Sequence, residues 1–150
     1  MRSQLEEPVS HIRDLAIKVA KNSFRNNASP EGKSWAPISP VTYRLGKPAG
    51  SLPLVRTGAM RRGIHGVIVR RSKGPELIIQ SDAPYAEKHE LGDRMNRLRG
   101  HPAPIPARRF MGLGSKHMAA IEKKTARWMD RYVDRPNRLR PPTTRPRRLL

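Results

Sequence analysis

The residues best suited to chemistry in this chain are its histidines, and their spacing matches no metal or catalytic pattern. The segment HELGD (89–93) begins like a zinc-protease helix, but that helix needs a second histidine four residues later, where Asp93 stands. The five histidines occur singly, in different predicted elements: His11, His65, His89, His101 and His117. We therefore predict no metal site.

Three other motifs that could support catalysis are incomplete. GLGSK (112–116) places glycines before a predicted helix, where backbone amides could bind phosphate, but it lacks the spacing and the preceding strand of a P-loop. No serine lies in a nucleophile-elbow sequence. Glu87 and Glu90 form no convincing general acid/base pair. The sequence predicts a protein that is not an enzyme and has no cofactor.

The charge of the chain predicts a polyanionic or acidic partner. The chain has 31 Lys+Arg against 12 Asp+Glu, a formal net charge of +19. Contacts from these residues to nucleic-acid phosphates would be independent of base sequence, and the same residues could instead form solvated faces or meet acidic protein surfaces. The internal basic residues fall into three groups: Arg61, Arg62, Arg70 and Arg71; Arg94, Arg97 and Arg99; Arg108 and Arg109, which we group with the C-terminal arm.

The composition predicts one domain, residues 1–134, followed by an extended basic arm, residues 135–150. The arm contains four prolines and no acid, so it either stays disordered or is ordered by a partner. The absence of cysteine excludes disulfides, and no stretch resembles a signal peptide or a membrane span. The arm supplies six candidate partner or DNA contacts: Arg135, Arg138, Arg140, Arg145, Arg147 and Arg148.

Two amphipathic helices are predicted, one near each end of the domain. Residues 8–26 carry an apolar stripe that ends at Phe24, and a long Pro- and Gly-rich loop that follows is anchored by Trp35. The second helix, 116–133, has an apolar stripe that we expect to face the core: Met118, Ile121, Thr125, Trp128, Met129 and Tyr132.

Between these helices the pattern predicts a β-hairpin flanked by two short helices. Thr57 is a candidate N-cap for a helix over 58–62, and residues 63–81 alternate as two strands around the turn RSKGP. A helix over 85–91 would point Leu91 inward and end at a left-handed Gly92. Residues 93–104 read as an exposed loop leading into the stiff segment IPARRF (105–110). The fold class expected is α+β, with both long helices packed on a small antiparallel sheet.

Four blocks, in order, resemble the phage virion morphogenesis family, the Mu-like tail-completion or neck group. They are SPEGKSWAPIS (29–39), LVRTGAMRRGI (54–64), SDAPYAEKHELG (81–92) and IPARRFMGL (105–113). Two departures from the family pattern stand out: Arg109 replaces a usual proline, and Glu90 with Leu91 replaces a Gln-Phe type pair. The residues that carry the resemblance are: Phe24, Trp35, Thr57, Gly58, Tyr85, His89, Gly92, Ile105, Pro106, Arg108 and Phe110.

The resemblance implies a non-enzymatic structural protein of a tailed bacteriophage. Its members are expected to form a ring, sixfold by the family expectation, between the capsid connector and the tail. The implied partners are further copies of the chain and the neighbouring neck, connector and tail proteins, with non-specific contact to DNA in the channel. The location implied is the virion, after assembly in the host cytoplasm. The alternative, based on charge alone, is a nucleic-acid-binding protein whose arm folds on RNA or DNA.

Overall fold

The computed structural model describes residues 6–40, 44, 53–55, 57–98 and 100–133 and has the predicted α+β class. Four helices and four strands follow one another along these residues. The helices are α1 (Glu6–Asn26), α2 (Ala59–Arg62), α3 (Ala86–Leu91) and α4 (Ser115–Val133). The strands are β1 (Ile64–Arg71), β2 (Gly74–Ser81), β3 (Arg97–Leu98) and β4 (His101–Pro102).

Helix α1 packs its apolar stripe across both strands of the β1–β2 hairpin. The stripe predicted from the sequence is buried, because the helical period places Ala16, Val19, Ala20 and Phe24 on one side. Together with Trp35 and residues from the hairpin region, the C-terminal half of this stripe forms the core: Ala20, Phe24, Trp35, Met60, Ile64, Ala86 and Phe110. The core therefore lies where α1 ends and the hairpin begins.

The predicted hairpin is confirmed, and its register fixes which side chains share a face. Ile64 pairs with Ser81 and Arg71 pairs with Gly74, which leaves a two-residue turn at Ser72 and Lys73. Side chains alternate between the two faces of a strand. Ile64, Gly66 and Ile68 of β1 therefore share the face that is turned toward α1. The opposite face carries Val67, which is 42% exposed.

The segment after the hairpin differs from the sequence prediction in two details. Residues 93–104 were expected to be an irregular exposed loop, but β3 and β4 pair within them and Asp93 bridges Ile105. Gly92 ends α3 with a positive φ of 81°, as expected, but its ψ of 161° lies outside the left-handed helical region. The strands are only two residues each, too short for a periodic pattern to indicate them.

Two predictions about burial are wrong. Leu91 was expected to point inward, yet it is 65% exposed at the end of α3. The stripe of α4 was expected to face the core, but Met118 and Met129 are 45% and 50% exposed. Ile121, Thr125 and Trp128 are partly buried and line a cavity of about 290 Å³ together with residues of α1, so only one flank of the stripe is shielded within the described chain.

The remaining boundaries agree with the sequence to within a residue or two. The predicted N-cap is wrong by one residue: α2 begins at Ala59 with Gly58, at a φ of 69°, as its N-cap. The Thr57 hydroxyl instead accepts a bond of 3.3 Å from the Ala59 amide, just before the helix. Lys124 of α4 lies 2.9 Å from the His11 ring of α1, measured from Nζ to Nδ1. Among the described residues, no helix is long and apolar enough to span a membrane.

Candidate partner-binding groove

The segment 105–110 enters the core through Phe110, which is fully buried. Its ring lies 5.0 Å from that of Phe24, and Phe24 meets Trp35 edge to face at 5.5 Å, measured between ring centroids. Edge-to-face packing at this distance adds to the area that aromatic rings bury. Three of the residues that carry the family resemblance, far apart in sequence, therefore form one aromatic cluster.

Hydrogen bonds from two side chains attach the loop around Trp35 to the same segment. The Trp35 indole Nε1 donates to the Arg109 carbonyl at 2.8 Å. The Arg108 guanidinium donates from Nε to the Ala36 carbonyl at 3.0 Å and from Nη2 to the Pro37 carbonyl at 2.9 Å. Burial lowers the pKa of Arg108 from its ordinary value, because the charged guanidinium is partly removed from water.

Helix α3 holds the segment from the other side. The Glu90 carboxylate accepts from the backbone amides of Phe110 at 2.8 Å and Met111 at 3.1 Å, both at Oε2. The Arg108 amide donates to the His89 carbonyl at 2.6 Å. The sequence analysis considered Glu90 as part of an acid/base pair and as a departure from the family pattern, and missed this anchoring role.

Gly92 is required because the segment passes close to its backbone. A Cβ at this position would lie 2.9 Å from the Ala107 nitrogen and 3.0 Å from the Ile105 oxygen. Its φ of +81° is also unfavourable for a residue with a side chain. The glycine thus allows α3 and residues 105–107 to approach.

An apolar groove of about 550 Å³ lies beside this junction. Tyr85, which is 43% exposed, packs edge to face against His89, with 6.1 Å between the ring centroids. Both rings line the groove, and so does Arg108. The groove is lined mainly by residues from the four family blocks, with Leu54 and Met60 among its apolar surface. Among the residues that carry the resemblance, six line it: Thr57, Tyr85, His89, Ile105, Pro106 and Arg108. We call this the motif groove.

Arg109 does not line the motif groove, and its side chain is exposed. It borders a separate cavity of about 730 Å³ that Glu31 and Lys33 also line. A hydrogen bond from Ser29 lowers the pKa of Glu31, and the positive charge of Arg109 contributes to that lowering. The predicted contact residues Arg135, Arg138, Arg140, Arg145, Arg147 and Arg148 lie outside the described residues.

The first basic group predicted from the sequence is divided by the hairpin. Arg61 and Arg62 lie in α2 at its base, whereas Arg70 and Arg71 end β1 at its tip. With about 3.3 Å per strand residue, the two pairs are roughly 20–25 Å apart. They therefore form two separate basic surfaces. In the part of the chain that is described, no group of three acidic or histidine side chains could hold a metal ion.

Comparison with known proteins identifies the family. The sequence pattern of the phage virion morphogenesis family matches residues 7–130, which includes all four blocks around the motif groove. No curated protein and no solved structure matches the chain significantly. The match covers most of the chain, so the protein belongs to the phage virion morphogenesis family, and its role is in building the phage particle together with other virion proteins.

Proposed function

We propose that this protein is a tail-completion or neck subunit that forms a ring, of six copies by family expectation, between the capsid connector and the tail. The observation that carries the proposal is the family match over residues 7–130, together with the convergence of its motif residues on one groove. The protein acts by structural contacts, without catalysis.

Exposed apolar surface supports an assembled subunit. Four large side chains are between 43% and 65% exposed in the isolated chain: Tyr85, Leu91, Met118 and Met129. Side chains of this kind are normally covered when a protein functions as part of an assembly. The motif groove is the surface we assign to a neighbouring virion protein or subunit.

The proposed ring also accounts for the positive charge of the chain. A ring around the channel through which DNA leaves the capsid would bring the excess of Lys and Arg close to phosphates, with salt-sensitive and sequence-independent attraction. Arg109 and the arm, residues 135–150, are the proposed contacts to DNA or to acidic neighbours.

Sizing of the purified full-length protein by light scattering, with and without nuclease, tests the proposal. A ring that persists after nuclease treatment is expected. A monomer that loses its excess mass together with the nucleic acid would instead favour the alternative, a basic nucleic-acid-binding protein.

Removal of residues 135–150 tests the role of the arm. Phage that carry only the shortened chain should form heads and tails that do not join stably, visible by electron microscopy. A normal infectious yield would show that the arm has no role in joining. The unshortened gene supplied in trans is the control.

A further inference from the structure

The two strands of the hairpin belong to surfaces of opposite charge. Residues 57–75, which include α2 and β1, contain five Lys+Arg and no acid. Residues 76–93, which include most of β2 and all of α3, contain five acids and one lysine. In a chain with a net charge of +19, this acidic stretch is exceptional. Arg71 pairs with Glu76 at 2.7 Å and Lys88 pairs with Asp93 at 3.1 Å, so the β1 side keeps an excess of basic residues and the β2 side an excess of acidic ones.

Both outer edges of the hairpin present backbone groups for further pairing. The Asp82 amide donates to the Gly63 carbonyl at 3.2 Å, so these two residues form a hydrogen-bonded pair. In an antiparallel sheet every second pair along the strands is hydrogen-bonded, and the backbone groups of the residues between them point outward. The amides and carbonyls of Leu77, Ile79 and Ser81 thus point away from β1. On β1, the outward-pointing groups belong to Ile64, Gly66 and Ile68. Among the described residues the sheet has no third strand.

An apolar groove lies directly beside the β2 edge. It has a volume of about 430 Å³ and is bordered by Ile79 and Ser81 of β2, Leu91 of α3, and Met111. Leu91, at 65% exposure, is the residue that sequence reasoning expected to be buried. Glu87 adds a negative charge to the rim. A strand that paired with β2 would cover this groove.

We propose that the β1 edge of a second copy of this chain pairs with the β2 edge and covers Leu91. Successive hairpins then form one continuous antiparallel sheet, because β1 and β2 already run in opposite directions. The contact joins two different surfaces, and a contact of this kind builds a ring when the rotation between successive copies closes. This inference rests on the proposed ring and identifies the surfaces that build it.

Charge complementarity selects a second copy as the occupant. Antiparallel pairing places Arg61 and Arg62 of the approaching copy beside the base of β2, where Glu87 borders the groove. Arg70 and Arg71 lie at the other end of the strand, where Arg71 already pairs with Glu76 of its own hairpin. Complementary fields favour this orientation and disfavour pairing of two basic edges. Backbone hydrogen bonds along the strand would supply affinity, as in other cases of strand addition. Pro75, near the tip of β2, lacks an amide hydrogen and confines this pairing to residues 77–81.

A pair of matched substitutions tests the apolar part of the contact. Leu91→Arg places a cation where the basic edge would approach, and Met95→Arg makes the same change at an even more exposed site, 83%, outside the groove. Leu91→Arg should raise the concentration for half-assembly about tenfold to hundredfold, while Met95→Arg leaves it unchanged. Both variants should keep the wild-type melting temperature at a concentration where all are monomeric, since neither side chain is buried.

Cross-linking tests the strand pairing itself. The chain has no cysteine, so Val67→Cys and Gln80→Cys each create a single reactive site on the outer face of the hairpin. When the two variants are mixed and treated with a short bismaleimide, we expect covalent dimers containing one copy of each. Lys123→Cys, exposed on α4, replaces Gln80→Cys in the control mixture and should give none.

The outcomes separate this inference from the proposed function. A nuclease-treated wild-type protein that never assembles would refute the ring itself. A ring that forms, but that neither responds to Leu91→Arg nor yields the 67–80 cross-link, would refute only the hairpin contact. Loss of binding to another virion protein, with the ring intact, would assign the β2 edge to that protein and also overturn the inference.

Discussion

Replacement of Arg108 by alanine should destabilise the protein by about 2–3 kcal/mol. The change removes two hydrogen bonds from a charged donor, to the carbonyls of Ala36 and Pro37, each worth roughly 1.5–3 kcal/mol. The expected destabilisation is smaller than the sum of the two hydrogen-bond contributions for two reasons. Burial of the guanidinium already has a cost, which its lowered pKa reflects, and water from the motif groove can reach the freed carbonyls.

The assay is urea or thermal unfolding of the monomer, with Arg109→Ala as the matched control. The loss at Arg108 corresponds to a decrease in melting temperature of about 5–10 °C for a domain of this size. Arg109 is exposed, and its side chain makes no hydrogen bond in the described structure; it interacts with Glu31 through charge alone. Its replacement should therefore change the free energy of unfolding by less than about 0.5 kcal/mol. The loss of stability of Arg108→Lys should lie between those of Arg108→Ala and Arg109→Ala, because an ammonium group cannot reproduce both guanidinium hydrogen bonds. Equal effects of Arg108→Ala and Arg109→Ala would refute the assignment of Arg108 as the anchor.

Three further changes test other parts of the core and junction. Phe110→Ala should cost about 3–5 kcal/mol by unfolding, because the ring is fully buried; a loss below about 1 kcal/mol would contradict its place in the core. Gly92→Ala should cost more than Gly100→Ala, since both glycines have positive φ but only a Cβ at Gly92 would contact the Ala107 nitrogen; equal melting temperatures would show that no close approach exists. Glu31→Gln should make the free energy of unfolding fall slightly less as the pH drops below 4.5. A carboxylate whose pKa is lowered in the folded state stabilises the fold above that pH, and this contribution is lost when the carboxylate is protonated. Identical acid unfolding curves for the variant and the wild type would contradict the lowered pKa.

The parts of the fold that were predictable are those fixed by local pattern. The period of α1 and the alternation of β1 and β2 around a Gly-containing turn require only neighbouring residues, and both elements lie where the sequence places them. The aromatic residues Phe24, Trp35 and Phe110 were recognised through the family blocks, and the structure brings them into one cluster.

The parts that were missed depend on contacts between distant residues. Arg108 bonds to carbonyls more than seventy positions away, and nothing near it in sequence indicates this. The role of Glu90 likewise depends on where Phe110 lies in space. Leu91 and the flank of α4 with Met118 show a different limit: an apolar pattern predicts that a face will be covered, but the covering surface can belong to another chain.

Electron cryo-microscopy of the intact phage particle tests the central claim most directly. The account predicts a closed ring of this fold at the head-proximal end of the tail, around the DNA channel, with the β2 edge of each copy against the β1 edge of the next. A particle in which this fold is absent from the neck and the tail end, or present there as separate copies that do not contact one another, would contradict it.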